Sequence, residues 1–440
     1  MGRDFHSTKN GNLFDKGIRN NIHPKEIAGM FKIVQFPEKI KPFFDSLINQ
    51  FHFNHFQHFQ TLVLLIGFAW GRRTISNLYR WLDPSRQPHR SRFNNFLNVH
   101  RWNPVAVLQL KAQDLLTLLS PQSGECIELL IDDSKKQKRG RIMQGVCWLH
   151  DPATGRKIRG HQYIVAVLRF RGYTIPFGLR LYLKKEACKA LKQPFRKTTQ
   201  LAAEIIRQFN PPQGVHVRVL FDTYYLCPVV IKACHEKGFK FVSSLKSNRN
   251  LFKNGQKLKA GRYGYNLFGR GNRQTCRLRK AYGTAKFCYV DAGWLQVSRV
   301  GLAHVIFSRK NAERRILGLV TDDPTLSPRQ IIRSYDDRWS IEVFFKDSKQ
   351  LLGLGQYQNL SIEAAVTHLH LVCMAYALLT HIAIKGDCAK GERTRRTKLS
   401  TADLQNELRR MVWEDLADHL EGLSNGTQVV KELRRLLVAA

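Results

Sequence analysis

The sequence predicts an α/β protein in which a partly parallel sheet lies between two helical regions. Three observations lead to this fold class. Apolar residues recur at helical spacing over residues 25–120, short apolar strands alternate with helical segments from residue 125 onward, and the chain after residue 361 is helical again. Strands that alternate with helices are typical of sheets that contain parallel pairs.

The first region combines a polar lead with a helical segment. Residues 1–24 are polar and rich in Gly and Asn, so we expect a flexible lead. The stretches TISNLYRWL and WNPVAVLQLKAQDLLTLL have helical spacing and are separated by the turn-like DPSRQPHRS. Arg, His and aromatic residues meet at the predicted helix ends, which suits docking on a phosphate backbone. We therefore predict a helical DNA-binding domain over residues 25–120, with a plain helical bundle bearing a solvated basic face as the alternative.

Strand-forming segments begin at residue 125. ECIELLIDDS, QGVCWLHD, HQYIVAVLRF and YTIPFGLRLYL predict a strand meander. FRKTTQLAAEIIRQF then predicts a helix, GVHVRVLFDTYYL a buried strand, PVVIKACHEKG a helix closed by Gly238, and FKFVSSLKSNRNL a further strand. This alternation places a partly parallel sheet at the centre of the chain.

The remaining segments complete the predicted fold. Residues 250–310 are rich in Gly and Arg and contain alternating strand patterns, so they predict a β-rich insertion. After one more strand, residues 327–353 predict one long helix with Ser327 as its N-cap and Pro328 at its first position. The uncharged 21-residue run 364–384 is long enough to span a bilayer, but its three His and two Thr favour a buried helix. Residues 385–398 predict a basic, mobile loop.

Charge and cysteine content indicate the partner and the compartment. The chain has 71 Lys and Arg against 34 Asp and Glu, a formal charge of +37. A polyanion is the expected partner, since neutralised phosphates release counterions; a ribosome-associated or merely supercharged protein is the alternative.

The nine cysteines show no C-x-x-C pair and no zinc spacing, which predicts reduced thiols in a cytoplasmic protein.

Carboxylates follow two of the predicted strands. Asp132 and Asp133 come after ELLI, and Asp222 comes after VLF. Open α/β folds place their ligands at such strand ends. Two divalent cations would remove the repulsion between clustered carboxylates and would activate water, and Mg²⁺ suits a site with few carboxylates and several waters. Turn or helix-cap roles are the alternative for each acid taken singly.

A third acid shares a narrow helix face with basic and aromatic residues. At about 100° per residue, Tyr335, Arg338, Glu342 and Lys349 fall within about 60° of one another. A row of i, i+4 ion pairs would also produce such a face. Asp336, Asp337 and Asp347 point elsewhere, and we expect them to contact DNA or solvent.

Residues 335–349 read YDDRWSIEVFFKDSK and match the spacing Y-(2)-R-(3)-E-(6)-K throughout. This spacing resembles the signature of bacterial insertion-sequence transposases of the DDE class. LLIDDS and VLFDTYYLCPVVIKACHEKGFKFVSSLKSNR are similar to the segments around that family's first and second catalytic Asp. The resemblance implies a ribonuclease H-like catalytic domain over residues 125–360, with the β-rich insertion between the second Asp and the Glu, followed by a C-terminal helical region over 361–440.

The resemblance also implies the site and its chemistry. Asp222 and Glu342 would be catalytic and would bind two Mg²⁺, or Mn²⁺, together with a first acid that is either Asp132 or Asp133. Asp132 follows the apolar strand directly and is preferred, while Asp133 precedes the hydroxyl residue and stays a candidate.

DNA contacts and an overall activity follow from the same resemblance. We expect Tyr335, Arg338 and Lys349 to contact DNA beside the cut. For Trp294, in DAGWLQV, a core position in the β-rich insertion is the preferred expectation, and holding an unstacked base is the second candidate role. The implied activity is that of a transposase, which binds terminal inverted repeats of double-stranded DNA, cuts at their ends and joins them to target DNA as a homodimer. The rivals are a ribonuclease H-like nuclease without strand transfer and a domesticated, inactive DNA-binding protein.

Overall fold

The computed structural model describes residues 33, 36–83, 89–98, 102–140, 142–151, 154–280, 283–310, 313–389, 399–423 and 426–436. The predicted flexible lead 1–24 lies outside the described residues, and so do residues 390–398 of the predicted basic loop. The prediction of a loop was wrong for residues 385–389, which end the helix Ile362–Ala389.

Helices dominate the described part of residues 36–119. Two 3₁₀ segments, Glu38–Phe43 and Asp45–Gln50, precede four helices. These are α1 (Phe53–Phe68), α2 (Ile75–Tyr79), α3 (Arg90–Asn98) and α4 (Pro104–Leu119). Asn103 begins α4 by accepting hydrogen bonds from the N–H groups of Val105 and Ala106, with Pro104 at the first position. The predicted helical content of this region is confirmed.

Antiparallel and parallel strands together form one half of a large mixed sheet. Its strands are β1 (Cys126–Gln137), β2 (Cys147–His150), β3 (Lys157–Phe170), β4 (Tyr173–Tyr182), β5 (His216–Phe221) and β6 (Lys240–Leu245). The order β4-β3-β1-β5-β6 places three antiparallel strands beside β5 and β6, which run parallel to β1. Helices α5 (Lys185–Ala190), α6 (Thr198–Gln208) and α7 (Pro228–Glu236) connect these strands. The predicted α/β fold with parallel pairs is confirmed.

The β-rich segment extends this sheet. The strands β7 (Asn250–Lys253), β8 (Gln256–Lys259), β9 (Gln274–Lys280), β10 (Gly283–Val297), β11 (Gly301–Lys310) and β12 (Leu317–Thr321) join the core because β12 pairs with β6. One element was not predicted, the helix α8 (Ala260–Gly269). Its Gly264 lies so close to the Phe307 ring that a Cβ would come within 2.3 Å of it.

The predicted long helix is two helices, α9 (Pro328–Asp337) and α10 (Trp339–Gln350), separated by Arg338. Its predicted start is confirmed, since Ser327 caps α9 and forms a reciprocal capping box with Gln330. The chain continues as α11 (Ile362–Ala389), α12 (Thr401–Glu421) and α13 (Gly426–Leu436).

Helix α11 is the apolar helix of the sequence. It is long and apolar enough to cross a membrane, but 89% of its most apolar window is buried inside the fold. It packs against α1, α4 and β4, so a single hydrophobic core runs from the first helices through the sheet to α12. The prediction of a buried helix is confirmed, while the division of the chain into functional domains stays a prediction.

Candidate active site

The pairing of β1 with β5 places two of the predicted acids at adjacent positions on neighbouring strands. These strands are parallel, and their last paired residues are Leu130 and Leu220. Two residues further along each strand are Asp132 and Asp222, which therefore lie side by side where the pairing ends. One expectation was wrong, because β1 does not end at the acids but continues to Gln137, paired only with β3. The acids mark the end of the parallel pairing.

Asp132 and Asp133 have different surroundings, because neighbours on a strand face opposite sides of the sheet. The Asp133 carboxylate accepts hydrogen bonds from Gln162 Nε2 at 2.7 Å and Tyr225 Oη at 3.2 Å. Asp132 Oδ2 instead accepts a hydrogen bond from Arg338 Nη1 at 3.1 Å. Asp132 thus faces the helix that carries Glu342, whereas Asp133 is held within the fold.

Arg338 links the strand to the helix. Its Nη2 lies 2.5 Å from Glu342 Oε1, so one guanidinium bridges the carboxylates of Asp132 and Glu342. Arg338 can reach both carboxylates because it lies at the break between α9 and α10. The Arg338 N–H donates to Tyr335 O, three residues earlier rather than four, and α10 begins at the next residue. The 14% exposed Arg338 side chain lies deeper than the carboxylates it joins.

The acids carry an electrostatic cost. The pKa of Asp132 is raised to about 7, chiefly by burial and also by the neighbouring Asp222 and Asp133, against the opposing effects of Arg338 and the Asp133 N–H. Burial also raises the pKa of Asp222, and Asp133 adds to this effect. Hydrogen bonds from the N–H groups of Tyr224 and Tyr225 to Asp222 act in the opposite direction. Neighbouring carboxylates with raised pKa values are a feature of functional sites.

Two arginines on the sheet fix the end of α9, next to Arg338. Arg169 on β3 bonds Glu128 of β1 at 2.7 Å and Asp337 of α9 at 3.0 Å. Arg218 on β5 bonds Asp323 at 3.0 Å and Ser334 Oγ of α9 at 3.3 Å. These contacts hold the last turns of α9 against the strands that carry the acids.

The expectation that the neighbouring acids contact DNA or solvent was wrong for two of them. Asp337 is the partner of Arg169, and Asp347 accepts a hydrogen bond from Thr401 Oγ1 at 2.6 Å, which ties α10 to α12. Both therefore serve the fold.

The other members of the predicted helix face are only partly brought together. Tyr335 lies beside Arg338, whose guanidinium carbon is 5.6 Å from the ring centroid. Lys349 has no carboxylate of the described residues within 4 Å and lies over the Phe345 ring at 5.8 Å. Burial, with the neighbouring Lys136, lowers the Lys349 pKa. The ion-pair row thus includes Arg338 and Glu342 and leaves Lys349 out.

Trp294 lies on β10 next to an irregularity at Asp291 and Gly293. Its side chain is 43% exposed and stacks on His304, with 5.5 Å between ring centroids, while His304 bonds Asp291 at 2.8 Å. The expectation of a core Trp is therefore not met, and the indole presents an open surface.

The donors around Asp132 suit a hard divalent cation, because all of them are carboxylate oxygens. Within the described ranges no three His, Cys, Asp or Glu side chains are arranged to hold one ion. The Arg338 guanidinium already provides a positive charge between Asp132 and Glu342, so these carboxylates attract a cation in this position. The oxygen donors thus suit a divalent metal, while in this arrangement the Arg338 guanidinium lies between them.

Sequence reasoning missed four residues that shape the site, namely Gln162, Arg169, Arg218 and Tyr225. Tyr225 follows Asp222 closely in DTYYL, a polar and aromatic turn after a buried strand, which could have marked it. Gln162 and Arg169 lie on a strand that the sequence shows only as an apolar run.

Comparisons with known proteins identify two related families. The family described as "DDE superfamily endonuclease" matches residues 47–287, and the family described as "Transposase DDE domain group 1" matches residues 186–406. No curated protein matches the chain. Among solved structures, the cryo-EM structure of the piggyBac transposase synaptic complex with hairpin DNA is similar, with 10% identity, a TM-score of 0.46, and coverage of 87% of this chain and 76% of that one.

Proposed function

Because the chain belongs to the DDE superfamily of endonucleases and transposases and is a phosphoryl-transfer enzyme, we propose that it is the transposase of a bacterial insertion sequence. It would bind the terminal inverted repeats of its element, cut at their ends and join the 3′-hydroxyls to target DNA. The observation that carries the proposal is the bridge from Asp132 through Arg338 to Glu342, beside Asp222. It joins the residues of the Y-R-E-K spacing to the strand-end acids.

Asp132, Asp222 and Glu342 are the residues that would hold divalent metal, and members of the superfamily generally use divalent metals. Mg²⁺ or Mn²⁺, two ions for each site, would supply an activated water or 3′-hydroxyl and neutralise charge on the leaving oxygen. Asp132 is favoured over Asp133 as the first acid, because Asp133 already accepts two side-chain hydrogen bonds within the fold. Asp133 would then have a structural role and hold the turn that contains Tyr225 against β1.

Arg338, Tyr335 and Lys349 would orient the DNA backbone beside the acids. Arg338 Nε–H is buried and has no acceptor among the described residues, so the guanidinium retains a donor for a phosphate oxygen. Lys349 has no carboxylate partner to neutralise it. The open face of Trp294 offers a surface on which an unstacked base could rest.

The wider assembly follows from the same proposal. Two ends must be held together, so a homodimer on double-stranded DNA is the expected active form. The helices within residues 25–120 would recognise the ends, and the protein would act in the bacterial cytoplasm.

Substitution of single acids tests this function. Asp222→Ala and Glu342→Ala should abolish cleavage of DNA that carries the element's ends, yet leave binding within a few fold, because backbone contacts provide most of the affinity. Glu313→Ala, which removes an exposed acid paired only loosely with Lys310, is the matched control and should cleave normally.

Two results would count against the proposal. Full cleavage by Glu342→Ala would refute the assignment of the acids. Cleavage without joining, measured with pre-cut ends and a target plasmid, would indicate a nuclease that lacks strand transfer.

A further inference from the structure

The β-rich segment exposes large apolar side chains on one face of its sheet. Leu302 is 64% exposed, Trp294 43% and Phe252 38%. Gln296 on β10 pairs with Leu302 of β11 and with Phe252 of β7, and Trp294 lies two residues earlier on β10. Paired residues, and alternate residues of one strand, point to the same face of a sheet. The three apolar side chains therefore share one face, which we call the Trp294 face.

The two aromatic residues of this face are close neighbours. Phe252 pairs with Gln296, so Phe252 and Trp294 are diagonal neighbours across the antiparallel strands β7 and β10. Diagonal neighbours lie roughly 7–8 Å apart. This spacing is about twice the rise of 3.4 Å per base along one strand of duplex DNA. Two adjacent bases can therefore rest on the separate rings only in a strand that is unpaired and unstacked.

Trp294 is held in a fixed position from below. Its indole stacks on the His304 ring, with 5.5 Å between the centroids and 23° between the planes. His304 is only 9% exposed, and its Nε2 donates to Asp291 Oδ1 at 2.8 Å. The buried imidazole thus supports one side of the indole, while part of the indole stays open to a ligand.

Positive charge continues the Trp294 face onto β8. Lys257 pairs with Phe252, and Lys259 pairs with Asn250, so both of these exposed lysines share the face. The sequences of β7, β8, β10 and β11 contain six Lys and Arg and one acid, Asp291. The acid is already bonded to a histidine, so the face combines aromatic rings with an excess of positive charge.

Arg249 connects this part of the sheet to the proposed active site. Its Nη2 donates to Leu226 O at 2.9 Å, and its Nη1 donates to Ser298 O at 3.4 Å. Leu226 lies in the turn that follows Asp222, and Ser298 directly follows β10. One guanidinium therefore holds the end of β10 beside the turn that carries one of the acids.

These features together identify a ligand class. Exposed apolar surface of this kind marks an interaction site. Sheets that present aromatic rings beside basic residues bind single strands of nucleic acid, because every base has a π-face and the cations follow the backbone.

We infer that the Trp294 face binds at least two adjacent unpaired nucleotides of one DNA strand. The bases stack on Trp294 and Phe252, with Leu302 adding apolar surface beside them. Lys257 and Lys259 contact the phosphates. The inference rests on the proposed function and deepens it, because it names an unpaired strand as the form of DNA that the β-rich segment receives beside the cut.

Two oligonucleotides of equal charge test the stacking in the full-length chain. One is a dT strand of about 15 nucleotides, near the largest site size of a single-strand-binding domain, and the other is an abasic strand of the same length. The wild type should bind the dT strand about tenfold or more tightly, since each stacked base contributes about fivefold or more. Phe252→Ala should reduce this preference about fivefold.

Tyr265→Ala is the matched control for Phe252→Ala. It removes an aromatic side chain that is more exposed, at 73%, but lies on α8 and not on the Trp294 face. It should leave the preference for the dT strand unchanged. Equal effects of the two variants, or a wild type that binds both strands equally, would show that only charge is recognised and would overturn the inference.

The lysines have a separate readout. Lys257→Gln combined with Lys259→Gln should reduce the slope of log K against log salt concentration by about 1.4 for the dT strand, since each phosphate contact to a single strand contributes about 0.7. The preference for dT over the abasic strand should stay, because both strands carry the same phosphates. An unchanged slope would refute the phosphate contacts.

A contact between two copies of the chain is the other occupant that this face could take, and light scattering distinguishes it. Leu302→Asn should leave the molar mass of the DNA-free protein unchanged. A fall from dimer to monomer, with the dT preference intact, would assign the face to a protein interface and overturn the inference. These binding measurements do not require cleavage, so their failure is distinguishable from failure of Glu342→Ala to block cutting.

Discussion

Replacing Asp132 with Asn should make the metal-free protein more stable while abolishing cleavage. The carboxylate lies beside Asp222, and its pKa is raised from 3.8 to about 7. The folded state therefore holds a proton that the unfolded state has lost, and stability falls as pH rises from about 4 to about 7. Asn removes the charge but keeps an oxygen that can accept from Arg338.

The structure sets the size of this effect. At about 1.4 kcal/mol for each pKa unit, the shift corresponds to at most about 4 kcal/mol above pH 7. The Asp132 side chain is 21% exposed, so water screens part of this cost, and we expect a gain of about 1–3 kcal/mol at pH 8. The gain should be nearly absent at pH 4.

Asp133→Asn is the matched comparison. It changes the adjacent carboxylate in the same way, but Asp133 accepts hydrogen bonds from Gln162 and Tyr225 through separate oxygens. An amide would turn its nitrogen toward one of these donors, so this variant should lose about 1–3 kcal/mol. Its folded fraction should still cleave DNA if Asp132 is the first catalytic acid.

Urea unfolding in EDTA at pH 4, 6 and 8 measures both variants. A gain for Asp132→Asn that grows with pH and levels off above pH 7 would agree with the reasoning. The reasoning would be refuted if both variants lost stability equally, or if the change in Asp132→Asn did not depend on pH.

Further predictions concern the DNA contacts and a buried lysine. Arg338→Ala and Lys349→Ala should each slow joining of pre-cut ends by about 10² or more, because the reacting groups lose their orientation. Of these two variants, only Arg338→Ala should also shift the urea midpoint of unfolding, because Arg338 pairs with two acids and Lys349 does not. Trp294→Ala should fold normally, since the side chain is 43% exposed, and its cleavage defect should be rescued by DNA with an abasic site. Lys138 has its pKa lowered to about 7, so it destabilises the fold at low pH, and Lys138→Met should flatten the rise in stability between pH 7 and pH 10.

The helix of the Y-R-E-K spacing shows how far sequence reasoning reached. The spacing of Arg338 and Glu342 predicted that they share a helix face, and they do. It could not predict that the helix breaks at Arg338, because α9 is held by Arg169 and Arg218 on strands more than 100 residues away. Such long-range pairs leave no local pattern.

Two other differences have equally specific causes. The predicted strand end at Asp132 was wrong because β1 continues through DDSKKQ. This part of the strand pairs with β3 alone, and its sequence is polar, so it does not show the apolar run that is typical of a strand buried on both faces. The helix α8 was missed because AGRYGYNLFG contains three glycines, which are poor helix formers. One of them, Gly264, is required by the close approach of Phe307.

The arrangement of charge along β1 explains why acids are concentrated in so basic a chain. Asp132 stands beside Asp222, whereas Lys136, on the same face, stands near Lys138 and Arg72, so like charges are grouped at both ends of one short segment. Interleaving these acids and lysines would relieve both repulsions and stabilise the isolated fold. Arg338 is an internal partner of Asp132, whereas Lys138 donates to carbonyl oxygens, so a cation at the acids and a polyanion at the lysines would reduce both repulsions. The proposed metal-dependent reaction on DNA would meet both conditions with one substrate, since a strand bound by the lysines would also present a phosphate to the acids.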